Sequence, residues 1–377
     1  MSRCVVVTGA DGFLGWHLRC RLRANGPYEV VALDRAGLAD GQTAANALNG
    51  ADAVIHLAGV NRGSDDDIVE GNRDAAAQLF RACEWADVAP HLVYANSIHR
   101  DRDTAYGRGK RAAAELLTAW AGARGTTTVD VRLPNLFGEH GRPHYNSVVA
   151  TFSHELARGG SPEVTVDSEI PLLHVQRAAA ALVAACDRAT PPVVEPAGRP
   201  TRVTALRDLL AAQAQCYRSG EIPDLSDDFE RDLFNTYRSY TFPQLFPLPV
   251  TVHSDERGTL FECVRARGGT GQTFWSTSRP GVTRGEHFHL AKVERFLVVR
   301  GRGQIRLRRL FTDEVVCFDV DGDAPSIVDM PTMWAHSITN TGPDDMATLF
   351  WTDALFDSER PDTYPEPVIR QQELVGS

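Results

Sequence analysis

The sequence has no excess of basic charge. Its 377 residues include 39 Lys and Arg against 49 Asp and Glu, which gives a formal net charge of −10. A protein that binds nucleic acid needs a basic face, so this balance argues against nucleic acid as a partner. Small anionic substrates are compatible with the charge only where local basic residues surround a site.

Long apolar runs and paired cysteines are missing as well. No stretch of the sequence approaches the ~18 apolar residues that a membrane span requires. The seven cysteines include no C-x-x-C pair, which is typical of reduced thiols in a cytosolic protein. The first predicted strand begins at Cys4 and leaves no room for a secretory signal peptide. We therefore expect a cytoplasmic protein that does not bind a membrane.

Length and pattern predict two domains. At roughly 150 residues per domain, the chain has room for two or three. Apolar runs such as CVVVTG, EVVALD and HLVYANS alternate with helical segments such as AYGRGKRAAAELLTAW, which predicts a doubly wound parallel α/β sheet of the Rossmann type. Three prolines then interrupt FPQLFPLPV, and short strand-like runs follow without an amphipathic helix. We predict a Rossmann domain with a substrate lobe over residues 1–242 and an all-β barrel over residues 243–377.

The turn after the first strand, TGADGFLG, has the glycine spacing of a dinucleotide-binding loop. Gly9, Gly12 and Gly15 would permit a tight turn and close approach to a pyrophosphate, which binds at the helix N-terminus formed by Phe13 and Leu14. A glycine triplet also occurs in loops that bind no ligand, so the prediction depends on its position between a strand and a helix.

The second strand ends with two residues that point to different cofactors. Asp34 stands where an acid binds the ribose 2′-hydroxyl of NAD, whereas the adjacent Arg35 can pair with the 2′-phosphate of NADP. We predict NADP(H) on the strength of Arg35. The alternative is that Arg35 is only a solvated loop charge.

Ser97, Tyr106 and Lys110 form a candidate catalytic set. Tyr106 and Lys110 are four residues apart at a helix start and share one helical face. A nearby ammonium is expected to lower the tyrosine pKa from its reference value near ~10, which would make Tyr106 a general acid and base. Ser97 ends a strand and would hold the substrate oxygen against Tyr106.

With this set, the stretches HLAGVN and RLPNLFG resemble the extended short-chain dehydrogenase/reductase family. Its members bind NAD(P) and act on nucleotide-activated sugars, and their tyrosine relays a proton as hydride moves at the same carbon. PLLHVQR departs from the family's usual aromatic-Val-Asp-Asp, so no role is assigned to His174. The resemblance implies cofactor contacts from Leu57, Ala58, Gly59, Tyr106 and Lys110, and substrate contacts from Asn61, Ser97 and Asn135.

The second half contains RGEHFHLAKVERFLVVRGRG and PTMWAHSITN, which resemble the two half-motifs of the cupin superfamily. The resemblance implies metal ligands at His287, His289, Glu294 and His336, a set that suits zinc or another divalent ion. His287 and His289 share a strand face, whereas Glu294 has the opposite parity and requires a turn or a bulge near residues 291–292. The superfamily usually has glycine where this chain has Met333.

GVTRGEHFH is also similar to a stretch of sugar-nucleotide 3,5-epimerases in which the histidine is a base that removes a proton beside a ketone. His287 is therefore a metal ligand, a catalytic base or part of both arrangements, and Arg284 is expected to bind substrate. A metal-free barrel with hydrogen-bonded histidines is the remaining alternative.

The combination resembles bifunctional capsular-polysaccharide enzymes of the CapF/WbjC type over nearly the whole chain, including DLFNTYRSY and DERGTLFE. In that family, the cupin epimerises C3 of a UDP-4-keto-6-deoxy-N-acetylhexosamine, and the reductase domain reduces the C4 ketone with NADPH. The family also implies zinc and a homodimer. Two alternatives are a one-step 4-ketoreductase or epimerase whose cupin serves dimerisation, and a non-catalytic NADP- or sugar-sensing protein. The intact Ser97, Tyr106 and Lys110 set argues against the sensor.

Overall fold

The computed structural model describes residues 3–370. The chain forms two compact units, one made of the residues up to Phe137 together with Asp167–Val203, and the other of Gly138–Val166 together with the residues from Thr204 onward. None of the helices in this part of the chain is long and apolar enough to cross a membrane.

The helices and the strands of the first unit are numbered in chain order. The helices are α1 (Phe13–Asn25), α2 (Arg35–Ala39), α3 (Gly41–Leu48), α4 (Asp65–Trp85), α5 (Ala105–Arg124), α6 (Val148–Ala157), α7 (Val175–Ala184), α8 (Val203–Arg218) and α9 (Asp228–Thr241). The strands are β1 (Arg3–Thr8), β2 (Tyr28–Leu33), β3 (Ala53–His56), β4 (His91–Ser97), β5 (Thr128–Leu133), β6 (Asn135–Phe137), β7 (Glu169–His174), β8 (Val193–Val194) and β9 (Arg199–Arg202).

The predicted parallel sheet is confirmed. Its six strands have the order β2-β1-β3-β4-β5-β8, and every neighbouring pair is parallel. Val5 and Val7 pack into the apolar cluster on one face and Val6 into the cluster on the other, so both faces are covered. The strand order reverses at β1 and β3. This reversal opens a crevice at the carboxyl ends of the strands, where open α/β sheets bind their ligands.

The first unit also contains a capped helix and a second sheet. Helix α4 begins at Asp65, where Ser64 and Asp67 form a capping box and three aspartates occupy the first turn. The second sheet has the strand order β6-β7-β9. Its strands are short and are interrupted by prolines, so their sequences show no clear alternation of apolar and polar residues.

The strands of the second unit form the predicted antiparallel β region. Two five-stranded sheets, β10-β18-β15-β20-β13 and β17-β16-β19-β14-β21, accompany the hairpin β11-β12, and all their pairings are antiparallel. These strands are β10 (Leu248–Pro249), β11 (Val252–Asp255), β12 (Gly258–Phe261), β13 (Gln272–Ser278), β14 (Thr283–Phe288), β15 (Glu294–Arg300), β16 (Arg302–Arg309), β17 (Val315–Asp321), β18 (Ser326–Met330), β19 (Trp334–Asn340), β20 (Met346–Thr352) and β21 (Tyr364–Pro365).

Helices α6, α8 and α9 belong to this second unit. The Tyr217 hydroxyl on α8 donates to the Asp329 carboxylate of β18 at 2.8 Å, and Asn235 on α9 donates to the carbonyl of Ala291 at 2.7 Å. Both contacts are side-chain hydrogen bonds between distant segments. The compact units therefore divide the chain differently from the boundary at residues 242 and 243, which stays a prediction about the domains of the sequence.

Candidate functional site

Two glycines of the loop after β1 are packed so closely against the backbone that a side chain would not fit. Gly9 has a φ of +67°, and a Cβ placed there would lie 2.9 Å from the backbone nitrogen of Ala58. A Cβ on Gly15 would lie 2.3 Å from the carbonyl oxygen of Gly9. Gly12 is the N-cap of helix α1, which begins at Phe13 without a side-chain cap for its first-turn N–H groups. A tight turn that leads into a helix N-terminus fits the pyrophosphate of a dinucleotide.

The segment after β3 lies between this loop and the candidate catalytic lysine. The backbone nitrogens of Leu57 and Ala58 donate to the Thr8 hydroxyl at 3.2 and 3.3 Å. A Cβ on Gly59 would lie 3.6 Å from the Lys110 ammonium nitrogen. The structure therefore brings the predicted cofactor residues of β1 and β3 next to Lys110.

Asp34 and Arg35 follow β2 and are both exposed. An Asp34 carboxylate oxygen accepts the N–H of Gly37 at 2.7 Å and caps helix α2. Arg35 is the first residue of that helix. The geometry places both side chains at the end of β2, where the adenosine ribose is expected.

Ser97 and Tyr106 lie together, and Lys110 lies one turn further along the same helix. Thr104 caps α5 and sets Tyr106 and Lys110 in its first two turns, beside the end of β4 where Ser97 lies. The Tyr106 hydroxyl forms a hydrogen bond with the Ser97 side chain. The buried Lys110 ammonium donates to the carbonyl of Ala95 at 2.9 Å. The three side chains thus combine a hydroxyl pair with a cation.

The pKa values differ from the expectation for Tyr106. Burial raises the tyrosine pKa, and the hydrogen bond with Ser97 opposes that rise without reversing it. Burial also lowers the pKa of Lys110 to about 8, against the attraction of Asp130. The expected lowering of the Tyr106 pKa by Lys110 is therefore wrong, because burial dominates. Tyr106 stays protonated at neutral pH and can act as a general acid.

Sequence reasoning missed a buried network behind Ser97. The backbone N–H of Ser97 donates to the Asn96 side chain at 2.9 Å, and Asn96 donates to Asp130 at 2.7 Å. Arg100 and Arg132 donate to the second Asp130 oxygen at 2.6 and 2.9 Å. An aspartate in the middle of the buried strand TVDVRL was the signal that could have revealed it, since buried charges are paired.

Two further residues of the first unit, Asn61 and Asn135, are predicted to bind substrate. Asn135 begins β6, donates to the carbonyl of Pro171 at 3.3 Å and forms a hydrogen bond with His99. Asn61 is exposed after the loop that follows β3.

In the second unit, His287, His289, Glu294 and His336 converge as predicted. Their potential ligand atoms all lie within 4.8 Å of one another. One Glu294 oxygen lies 3.0 Å from Nε2 of His289 and 3.1 Å from Nε2 of His336. Strands β14 and β19 pair His287 with His336, and the chain turns between β14 and β15 before Glu294. Because of that turn, Glu294 can face the two histidines of β14 and its end, although its sequence position has the opposite parity.

Backbone carbonyls orient the histidines of this cluster. Nδ1 of His289 donates to the carbonyl of Asp362 at 2.5 Å, and Nδ1 of His336 donates to that of Trp334 at 3.1 Å. His287 forms a hydrogen bond with the backbone of Gly285. Because a carbonyl only accepts, His289 and His336 carry the proton on Nδ1 and direct Nε2 into the cluster. Metal-binding histidines have this arrangement.

The pKa values of the side chains in this cluster favour binding of a metal cation. Burial lowers the pKa of His287 to about 3 and also lowers that of His336. Burial alone would raise the pKa of Glu294, but contacts with His289 and His336 hold it well below its ordinary value. The Glu294 carboxylate in turn raises the pKa of His289 against the effect of burial. Three imidazoles beside one carboxylate fit a divalent metal such as zinc.

A cavity of about 340 Å³ is lined by three of the four residues, His287, His289 and Glu294. Its wall includes the aromatic rings of Phe274 and Phe356 and the basic side chains of Arg231, Lys292 and Arg360. Arg284 is absent from the described wall. Its guanidinium donates to the Ser278 hydroxyl and the Thr277 carbonyl, each at 3.0 Å. The structure therefore does not bring Arg284 into this cavity.

Comparisons with known proteins match both halves of the chain. Residues 5–195 match the NAD dependent epimerase/dehydratase family, and residues 253–364 match the polysaccharide biosynthesis C-terminal domain. A UDP-2-acetamido-2,6-beta-L-arabino-hexul-4-ose reductase of Pseudomonas aeruginosa is 34% identical over 366 residues, which are 96% of this chain and 97% of the relative.

Solved structures are also similar to this chain. The capsular polysaccharide assembling protein CapF of Staphylococcus aureus has a TM-score of 0.60 at 33% identity, covering 97% of this chain and 100% of its own. A UDP-N-acetylglucosamine 4-epimerase of Methanobrevibacter ruminantium has a TM-score of 0.55 at 20% identity over 64% of this chain and 99% of its own, which shows a shared fold alone. The family match supports a nicotinamide cofactor at the glycine loop. The chain belongs to the NAD dependent epimerase/dehydratase family and, as a homologue of the Pseudomonas reductase over nearly its whole length, joins that domain to a polysaccharide biosynthesis C-terminal domain.

Proposed function

We propose that this protein is a bifunctional nucleotide-sugar enzyme. Its β domain, residues 243–377, is a cupin that epimerises C3 of a UDP-4-keto-6-deoxy-hexose of the N-acetylhexosamine type. Its Rossmann domain, residues 1–242, then reduces the C4 ketone with NADPH. The observation that carries the proposal is that a Ser-Tyr-Lys set and a four-residue metal-type cluster both occur in one chain that is 34% identical to a UDP-sugar reductase.

The reduction uses residues of the first unit. The bound nicotinamide supplies the hydride. Tyr106, kept protonated by burial, donates its proton to the C4 oxygen as that oxygen gains charge. Ser97 holds the same oxygen, and Lys110 provides a positive charge beside the tyrosine and contacts the cofactor. Asn61 and Asn135 are proposed to bind substrate, and Gly9, Gly12 and Gly15 the pyrophosphate.

The epimerisation uses the second unit. A C4 ketone acidifies the hydrogen at C3, so removing that proton gives an enolate whose reprotonation can invert the carbon. A divalent metal, most simply Zn²⁺, would be held by His287, His289, Glu294 and His336 and would supply positive charge for the enolate oxygen. The hydrogen bond between His287 and the Gly285 backbone supports the ligand role, since His289 and His336 are held in the same way. His287 as the base is the alternative.

The two reactions have a chemical order. Inversion at C3 requires the C4 ketone, and reduction removes that ketone, so the second step fixes the new configuration. Two sites on one chain also shorten the path of a labile keto sugar. The protein is proposed to act as a cytoplasmic homodimer, as the resemblance to CapF-type enzymes implies.

A second candidate is a one-step 4-ketoreductase whose cupin serves only dimerisation. The observation that favours it is the name of the Pseudomonas relative, which describes a reductase alone.

Incubation with candidate UDP-4-keto-6-deoxy sugars and NADPH tests the proposal. We expect NADPH oxidation and a product, identified by NMR, that is reduced at C4 and inverted at C3. A product reduced at C4 with its C3 configuration retained would support the one-step reductase. Absence of NADPH oxidation with every keto sugar would contradict both functions.

A further inference from the structure

The C-terminal segment 360–368, which we name the strap, runs along the histidine-bearing part of the second unit. Its strand β21 pairs with β14, so that Pro365 lies opposite His287 and Tyr364 opposite Phe288. The N–H of Glu366 donates to the carbonyl of Glu286 at 2.9 Å. The strap therefore follows the chain that carries two residues of the metal-type cluster.

Asp362 makes the central contacts of the strap. Its carboxylate accepts the backbone N–H groups of Leu290 at 2.9 Å, Ala291 at 3.0 Å and Lys292 at 2.8 Å. Its own carbonyl accepts Nδ1 of His289 at 2.5 Å. These three N–H groups belong to the turn that joins His289 to Glu294. One residue thus fixes both the orientation of His289 and the turn that brings Glu294 to it.

Lys292 adds side-chain hydrogen bonds between the same turn and the strap. Its ammonium donates to the carbonyl of Pro361 at 2.6 Å and to the hydroxyl of Thr363 at 2.9 Å, the two neighbours of Asp362. Asp362 itself has a φ of 42°, a left-handed conformation that aspartate adopts more readily than most residues. Strained backbone of this kind persists where the surroundings hold it in place.

The far end of the strap is anchored separately. Arg308, buried on β16, donates to the Glu366 carboxylate and to the carbonyls of Pro367 and Val368, each at 2.7 Å. The N–H of Val368 donates to the Glu286 carboxylate at 2.7 Å. A buried guanidinium with this many acceptors holds the strap in one register, and Asp362 with it.

We infer that Asp362 is a positioning residue of the metal centre, holding the His289–Glu294 turn in the geometry that binds the ion. The inference rests on the metal centre of the proposed function. Outer hydrogen-bond partners of metal ligands typically contribute about 10–100-fold to metal affinity. Asp362 contacts one ligand directly and the chain between two ligands, so its carboxylate belongs to this class.

Asp362→Gly is the sharpest variant. Glycine accepts the positive φ and keeps the carbonyl that orients His289, so only the three carboxylate bonds are lost. Asp357→Gly is the matched control, because the Asp357 carboxylate bonds only the nearby Glu359 and Arg360. Zinc affinity of the whole protein is measured by competition with a chromogenic chelator. We expect Asp362→Gly to bind Zn²⁺ about 10–100-fold more weakly and Asp357→Gly to bind it like the unmodified protein.

The outcomes separate the inference from the proposed function. An unmodified protein that binds no zinc would overturn the metal centre itself. Tight binding by the unmodified protein and equal binding by Asp362→Gly would overturn the positioning role, even if the variant's Tm without metal fell. If circular dichroism shows that Asp362→Gly does not fold, Asp362→Asn is measured instead. It keeps one acceptor oxygen, so we expect weakened zinc binding, and unchanged binding would again overturn the inference.

Discussion

Asp34 and Arg35 show how neighbouring residues can have different roles. Asp34 uses one carboxylate oxygen to cap helix α2. Arg35 is exposed and forms no ion pair within residues 3–370. Its guanidinium is therefore available for a phosphate that arrives with the cofactor, and a guanidinium can pair with a phosphate through two parallel hydrogen bonds.

We predict that NADPH is preferred to NADH and that Arg35→Ala removes most of this preference. Hydrogen bonds to charged groups contribute about 1.5–3 kcal/mol, so the ratio of kcat/KM for the two cofactors should fall by about 10–100-fold. Arg124→Ala, at the C-terminal end of α5, should leave the ratio unchanged. A ratio that Arg35→Ala does not alter would mean that Asp34 controls the pocket.

The sequence predicts contacts between residues that are close in sequence, but not contacts between distant ones. Tyr106 with Lys110, and His287 with His289, are close in sequence, so their spacing on a helix or strand brings them together. Asp362 lies 70 to 72 residues from the three N–H groups that it accepts. Only the tertiary fold determines such a contact. Asp130 behind Ser97 indicates a buried charge that needs a partner, but its partner Asn96 lies 34 positions away and is determined by the fold.

At the scale of elements, the turn before β19 has an unusual residue. Met333 has a φ of 60°, a left-handed conformation that glycine adopts more readily than methionine. Its N–H donates to the carbonyl of His289 at 2.7 Å, and its side chain is fully buried. The predicted turn before Glu294 was found, whereas the bulge between Gly285 and His287 was not predicted.

Met333→Gly tests which effect dominates at that turn. Glycine would relieve about 1–2 kcal/mol of backbone strain, but losing a buried methionine side chain costs about 2–5 kcal/mol. We therefore expect a net loss of stability on the order of 1–3 kcal/mol and a lower Tm in thermal unfolding of the metal-free protein. A higher Tm would show that strain at Met333 outweighs its burial.

At the scale of the whole molecule, two candidate sites belong to different compact units of the chain. The Ser97–Tyr106–Lys110 set lies in the first compact unit, and the histidine cluster lies in the second. The fold classes of both parts follow from sequence, because strand–helix alternation and a run of short strands are repeated over many residues. The grouping of α8 and α9 with the β strands could not be predicted, since it depends on distant contacts such as that of Tyr217 with Asp329.

This separation gives the last prediction. In D₂O without NADPH, the unmodified protein and Tyr106→Phe should both incorporate deuterium at C3 of the keto sugar, whereas His287→Ala should not. Tyr106→Phe should lower NADPH oxidation by about 10²–10⁴-fold, the usual contribution of general acid catalysis. His287→Ala should still reduce a substrate that has already been epimerised, because hydride transfer uses the other set of residues. NMR of the sugar and absorbance of NADPH measure both reactions.

Each result that differs from these expectations would contradict a different part of the proposed function. Exchange by protein that has been freed of metal would show that His287 acts as a base without an ion. Exchange in no variant would leave the β domain as a dimerisation module. Loss of reduction in His287→Ala with the epimerised substrate would mean that the two sites are coupled. The double variant Tyr106→Phe/His287→Ala separates coupling from independence, because independent sites require it to lose both reactions by the same factors as the single variants.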